Sequence, residues 1–481
     1  MGTATRARSG RTSERAPGTS RRQRSNGGSD TARGGGDNGP RGGRGNTRNG
    51  DARRNGRPDD RPNARSASAV REIPATTTLR PLARTSRVGP FQLRQLVLVE
   101  AALALAATGV ALGGLWLVPT CAAACLLVLF AVIRRRGQAL QDWLSTALAL
   151  RSRRRNATVP TPDADPTLAS VAESVPGFRP FPYVDRERRT VGMLGDGTFL
   201  TAVVRIEAQG AGLRPASGAR ALPLSVLGDA LAVDDIALES VQLVQQVRPA
   251  PAPHLPQQAV ARLSYAPLHE RTGAPALRMT WVALKLDPEL CAEAVKARGG
   301  GVEGAQRCLV RAADHVASRM TGAGFQAAVL DQEELNSTIA TAACANPRLA
   351  ARASQPGAAP QRRTAETSRV WRCDDRWHTT YAVGRWPELG RGATPLPKLV
   401  SLLTSVPAYA TTVSFTLRRG TRQGATNVRG HIRITGGSDT ELVGVRRALE
   451  QAARAAKVGL QRLDREQLPG VLATLPLGGG R

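Results

Sequence analysis

Residues Leu96 to Ile133 form a run of 38 residues with one charge, Glu100, bounded by Arg94 on one side and Arg134-Arg135-Arg136 on the other. As continuous helix the run would extend about 57 Å at ~1.5 Å per residue, close to twice the ~30 Å hydrocarbon thickness of a bilayer. One span is too few and three are too many. Two helices near 96–117 and 119–133, broken at Pro119, fit best, so residues 95–134 are expected to form a transmembrane helical hairpin. A cleaved secretory signal would be shorter and would lie at the extreme N-terminus.

Charge sets the orientation. Arg80, Arg84, Arg87 and Arg94 precede the hairpin, Arg134–Arg136 and then Arg151, Arg153, Arg154 and Arg155 follow it, and the turn carries no cation. The positive-inside rule then places both termini in the cytoplasm, as in a multi-pass cell-membrane protein. In the first helix Ala102, Ala106, Gly109 and Gly113 make a small-residue stripe containing a Gly-xxx-Gly pair. Such stripes let helix backbones approach closely in lipid, either within the hairpin or against another subunit. Glu100 lies about one turn inside the boundary, where a carboxylate must snorkel or find a basic partner. These five residues are the candidate partner-helix contacts. Cys121 and Cys125 share a helix face and are explained by lipid-embedded packing.

Residues 137–155 are expected to be an amphipathic juxtamembrane helix, because Leu140, Trp143, Leu144, Ala147 and Leu148 follow helical spacing. Trp143, with Arg134, Arg135 and Arg136, is expected at the anionic headgroups of the cytosolic leaflet; docking on the following domain is the alternative. Residues 156–185, with six prolines, are expected to be a linker.

The chain carries 67 Lys and Arg against 38 Asp and Glu, a net charge of +29. Residues 1–70 hold 16 Arg against 6 acids and no aromatic residue. Too little apolar surface is available there to offset chain entropy, so residues 1–88 are expected to be a disordered Arg/Gly-rich tail. Without interleaved aromatics for base stacking, the tail suits anionic lipid or phosphate in general, and nucleic acid is not expected as a partner.

From Arg189 the pattern turns globular. A hairpin is expected at Val191–Leu194 and Phe199–Ile206 around Gly195-Asp196-Gly197. Two stretches then repeat a β-α-β-β-α-β-α order. Leu330, Asp331, Glu333, Leu335, Ile339, Ala340 and Thr341 match Leu463, Asp464, Glu466, Leu468, Leu472, Ala473 and Thr474 at a constant offset of 133. Asp331 with Glu334 is an N-cap signature. The fold expected is therefore α+β, with two tandem ferredoxin-like (β-α-β-β-α-β) halves at 186–345 and 376–478, joined by a linker at 346–375.

Catalytic constellations are weak. The only lysines are Lys285, Lys296, Lys398 and Lys457, and none stands in a Gly-Lys-Ser/Thr phosphate loop. Cys373 and His378 flank Asp374 and Asp375, but a zinc site needs about four paired N/S ligands, and no second pair exists. There is no Gly-x-Ser-x-Gly elbow. No catalytic, cofactor or metal residue and no small-molecule substrate are expected. Two alternatives stay open: a membrane-tethered transferase using Asp374 and Asp375 with a divalent metal, or a conjugation-related membrane protein whose tail binds nucleic acid.

The basic N-terminus, two early helices and a following domain that opens VGMLGDGTFLTAVVRIE resemble EccE, a membrane component of the actinobacterial type VII (ESX) secretion system. Val191, Gly192, Gly195–Gly197 and the strand to Ile206 carry the resemblance. It implies a non-enzymatic structural subunit that supports the translocon, with EccB, EccC and EccD as partners and with the energy drawn from EccC.

Overall fold

The computed structural model describes residues 80–480, apart from Ile133 and the segments 82–86, 89–90, 136–137, 158–164, 166, 176, 209–220, 250–257, most of 261–276, 356–360, 388–394 and 421–424. Most of the 1–88 tail therefore lies outside the described residues. Three helices come first: α1 (Leu93–Leu112), α2 (Leu117–Val132) and α3 (Leu140–Arg155).

An α/β body follows. Its first half runs β1 (Arg179–Pro180), β2 (Met193–Gly195), β3 (Leu200–Ala208), α4 (Leu224–Asp229), β4 (Ser240–Arg248), β5 (Leu277–Leu286), α5 (Ala292–Ala297), α6 (Gly301–Gly322), β6 (Phe325–Val329) and α7 (Gln332–Ala342). The second half runs α8 (Pro347–Ala353), β7 (Thr364–Glu366), β8 (Trp371–Cys373), β9 (Arg376–Arg385), α9 (Leu396–Thr404), β10 (Ala410–Arg419), β11 (Thr426–Gly436), α10 (Asp439–Ala455), β12 (Gly459–Arg462) and α11 (Gln467–Leu472).

All these strands join one sheet in the order β7-β8-β9-β11-β10-β4-β5-β3-β2-β1, with β6 beside β3 and β12 beside β9. Within β3 to β6 the order is fourth, first, third, second, and β9 to β12 repeat it. The two second strands, β4 and β10, pair antiparallel across the seam from Val241↔Leu417 to Val247↔Thr411. The halves are thus not separate tandem domains. They share a sheet, because β4 and β10 would otherwise each leave an open edge of unpaired backbone groups.

Both faces of this sheet are covered. Leu309 and Val316 of α6, Leu399 and Leu403 of α9, and Leu442 and Leu449 of α10 pack on one face with Val282, Ile432 and Ile434. Leu335 and Ile339 of α7, Val471 of α11, and Leu475 and Leu477 cover the other with Val244, Trp281 and Trp371. Burial on both faces is why β10 reads as a continuous apolar and threonine-rich run, and why β4 buries Gln242 and Gln246 among its valines and leucine, rather than either strand alternating.

Two expected linkers are instead built into the body. Residues 346–375 contain α8 and the β7–β8 hairpin. Residues 156–185 bury Leu168, Val171 and Glu173, and the Glu173 carboxylate accepts from Arg363 N, Thr364 N and Thr364 Oγ1 at 2.7–2.8 Å.

The hairpin also differs from expectation. Its break falls at Gly113 and Gly114, both at positive φ, followed by a 3-10 turn at Gly114–Trp116. Pro119 sits in the first turn of α2, where its missing N–H costs nothing because that donor has no intrahelical partner. Among the described residues no helix is long and apolar enough to cross a membrane. α1 includes Arg94 and Glu100, and the 16 residues of α2 reach only about 24 Å.

Candidate functional site: the helical hairpin and its seat

Helices α1 and α2 pack against each other, and Gly109 is buried in that contact. A Cβ built on Gly109 would overlap the Thr120 hydroxyl. Thr120 Oγ1 donates to Trp116 O at 2.7 Å, and Thr108 Oγ1 donates to Ala104 O at 2.8 Å, so both hydroxyls are satisfied within their own helices. Ala102 and Ala124 are buried at the same interface. Ala106 is half-buried and, with Leu103, Val128 and Leu129, lines an apolar groove of about 470 Å³ between the helices.

The five candidate contacts therefore divide. Ala102 and Gly109 serve the hairpin itself, and Ala106 borders the groove. Gly113 belongs to the turn at φ 56°, with nothing within 4 Å of a built Cβ, and Glu100 is exposed. The hairpin's outer surface is apolar nearly all round: Val97, Leu103, Val110, Trp116, Val118 and Leu126 are each more than half exposed. A contiguous apolar surface of this kind marks contact with lipid or protein.

Helix α3 follows α2 after seven intervening residues and is seated on the second half of the body. Glu366, at the end of β7, is the anchor. Its buried carboxylate takes Nε and Nη2 of Arg153 at 3.0 Å each and the Leu468 backbone N–H at 3.0 Å. Arg153 Nη2 also donates to Arg465 O at 2.6 Å, and Arg154 Nε donates to Glu366 O at 2.9 Å. The Arg465 guanidinium lies 4.8 Å over the Trp143 ring, and its Nε donates to Thr146 Oγ1 at 3.4 Å.

Trp143, expected at the lipid headgroups, thus faces the body. The side chains of Arg134, Arg135 and Arg136 lie outside the described residues. The seat itself escaped sequence reasoning because its partners are more than 200 positions apart. One signal was present: Glu366 is the lone carboxylate among Arg362, Arg363, Arg369 and Arg372.

The Asp374-Asp375 doublet does not make a metal centre. Asp374 accepts Nε and Nη2 of Arg363 at 2.8 and 2.6 Å and the Asn346 N–H at 2.8 Å, inside a nearly fully buried ion pair. Its charge and lone pairs are already engaged. Asp375 is half exposed and lies 3.5 Å from Arg376. Among the described residues no group of three or more His, Cys, Asp or Glu is placed to hold a metal ion. Cys373 and His378 belong to the core beside Trp371, whose ring centroid is 5.0 Å from that of His378. Burial, with Asp374 adding to it, pushes the Cys373 thiol well above its usual pKa. Burial, with Arg433 and Arg376 adding to it, pushes His378 well below its own. Neither is a poised acid, base or nucleophile at neutral pH.

Residues 274–383, from β5 to β9, match the sequence family described as "Putative type VII ESX secretion system translocon, EccE". The ESX-1 secretion system protein EccE1 of Mycolicibacterium smegmatis is 26% identical over 246 residues, covering 44% of this chain and 47% of that protein. The chain thus spans about half the length of this curated relative. On the matched strands and helices of the body, the chain resembles EccE of the type VII secretion system.

Proposed function

We infer that this chain is a non-enzymatic structural subunit of a type VII protein secretion complex, which holds its α/β body at the cell membrane through the α1–α2 hairpin. The observation that carries this reading is the hairpin's outward apolar surface, joined through the α3 seat to a body whose charged clusters are already paired. The hairpin inserts as a unit. α2 falls short of the ~30 Å core by roughly 6 Å, a mismatch that local thinning and snorkelling of flanking arginines accommodate at modest cost. Both termini then lie on the cytoplasmic side, as the arginine flanks direct.

The shared strand order supports reading the body as a duplicated ferredoxin-like unit, a scaffold that stabilises a complex with other membrane components such as EccB, EccC and EccD. Internal pairing of Asp374 with Arg363 speaks against the metal-dependent transferase.

Membranes solubilised in mild detergent, followed by affinity purification and mass spectrometry, test the assignment. Type VII membrane components should co-purify. A chain that leaves the membrane in carbonate, or purifies without such components, overturns the reading.

A further inference from the structure

Helix α3 has two working faces, and the seat on the body uses only one. Trp143, Thr146, Leu150, Arg153 and Arg154 point to the body: Leu150 is only 7% exposed, and the other four make the contacts to Glu366 and Arg465. Leu144, Leu148, Arg151 and Arg155 are exposed, Leu148 to 59%. At ~100° per residue these four fall within an arc of about 60° on the far side of the helix. The first two positions of this outer face, nearest the hairpin, are leucines; the next two are arginines.

We propose that this outer face of α3 rests on the surface of an anionic bilayer, so that the helix is clamped between membrane and body. The occupant follows from chemistry and continuity. α3 contacts α2 and is separated from its end by only seven residues, so an inserted hairpin delivers the leucines to the headgroup–acyl boundary. Arginines beside them match phosphate headgroups rather than a neutral surface. The body-facing set is held by the Arg153–Glu366 ion pair, hydrogen bonds and the Arg465–Trp143 contact, and cannot turn outward without breaking them. The proposal rests on the membrane reading of the hairpin and adds the face, the residues and the lipid charge.

The test uses the full chain with Cys121→Ser and Cys125→Ser in nanodiscs of phosphatidylcholine with or without phosphatidylglycerol. An environment-sensitive fluorophore is placed at Leu148→Cys, with exposed Val302→Cys on α6 as reference, and brominated lipids serve as quenchers. Position 148 should be quenched strongly in anionic discs and weakly in neutral ones, and position 302 in neither. Arg151→Ala with Arg155→Ala should lower the ratio of lipid-contacting to free α3 by about 25-fold, since each arginine near an anionic surface is worth about fivefold in partitioning. A disc-embedded chain whose position 148 is as unquenched as position 302 overturns the proposal and leaves the hairpin reading intact. Equal quenching in neutral and anionic discs overturns the headgroup pairing. Failure of the chain to remain in discs of either composition overturns the hairpin reading and this proposal with it.

Discussion

His378 is fully buried on β9, and its Nδ1 lies 3.0 Å from the Thr435 hydroxyl. Its folded pKa lies well below the usual value because the charged ring would lose its hydration beside Arg433 and Arg376. The unfolded chain therefore binds a proton below about pH 6.5 that the folded chain does not. Stability from this residue is complete above that pH and falls by about 1.4 kcal/mol per unit below it, until the folded pKa is reached. Urea titrations between pH 7 and pH 5 should show this slope, and His378→Gln should flatten it. An unchanged slope in the variant would assign acid sensitivity elsewhere.

Gly109 and Gly113 make a second contrast at this scale. The stripe was legible in the sequence; the different work of its members was not, since spacing cannot tell a packed glycine from a turn glycine. Gly109→Leu drives a side chain into Thr120 and should cost about 1–3 kcal/mol by overpacking. Gly113→Leu meets open space but must hold a left-handed backbone, costing about 1–2 kcal/mol. Hydrogen exchange in detergent should rise along both helices for Gly109→Leu and only near the turn for Gly113→Leu.

Among elements, those with a strong period or a capping signal were readable. The hairpin expected around Gly195-Asp196-Gly197 forms as β2 (Met193–Gly195) and β3 (Leu200–Ala208), paired antiparallel from Leu200↔Gly195 to Ala202↔Met193. Asp331 caps α7 with the full reciprocal pair expected: Glu334 N donates to Asp331 Oδ1 at 2.8 Å, and Asp331 N donates to Glu334 Oε2 at 3.3 Å. Its repeat partner Asp464 does not cap. It pairs with Arg462 at 2.6 Å, and α11 starts only at Gln467.

Helix α3 shows the limit of periodicity. Leu140, Trp143, Leu144, Ala147 and Leu148 read as one apolar stripe, yet Trp143 turns to Arg465 while Leu144 and Leu148 face outward. The deciding partner, Glu366, is 213 residues from Arg153. Removing either member of that pair should detach the helix. Glu366→Ala should cost about 3 kcal/mol, in the range for breaking a largely buried ion pair. Arg153→Ala should cost less, because Leu468 N–H still serves the carboxylate. A double-mutant cycle should give a coupling above roughly 1 kcal/mol; additive losses would mean that Arg153 merely lies near Glu366.

At the scale of the whole molecule, the leucines that open the two stretches matched at offset 133 make the same kind of bond. Leu330 N donates to Val203 O of β3 and Leu463 N to Thr380 O of β9, both at 3.0 Å and both at buried leucines. What the letters could not carry was the seam, because strand pairing between halves leaves no mark on either strand alone. Gln242 of β4 sits there, fully buried. Its Nε2 donates to Ser414 Oγ of β10 and to Ala473 O at 2.9 Å, and its Oε1 accepts from Leu477 N at 3.2 Å and Gly478 N at 2.8 Å. One side chain thus ties the first half, the second half and the segment 473–478 together. Gly478 and Gly479, both at positive φ, let that segment press on Lys285 of β5 and Thr416 of β10. Substitution of Gln242 by Leu keeps the volume approximately but takes the Gln242 partner from the buried Gly478 N–H, the Ala473 carbonyl and the Ser414 hydroxyl, while Leu477 N keeps its bond to Leu475 O; each lost bond costs about 1–3 kcal/mol before relaxation. The shared sheet makes that loss felt on both sides. Hydrogen exchange in Gln242→Leu should accelerate together in α6 of the first half and α10 of the second, with one unfolding transition at lower denaturant. If α10 keeps its protection while α6 loses it, the halves unfold independently, and the seam is a contact between two domains rather than the centre of one.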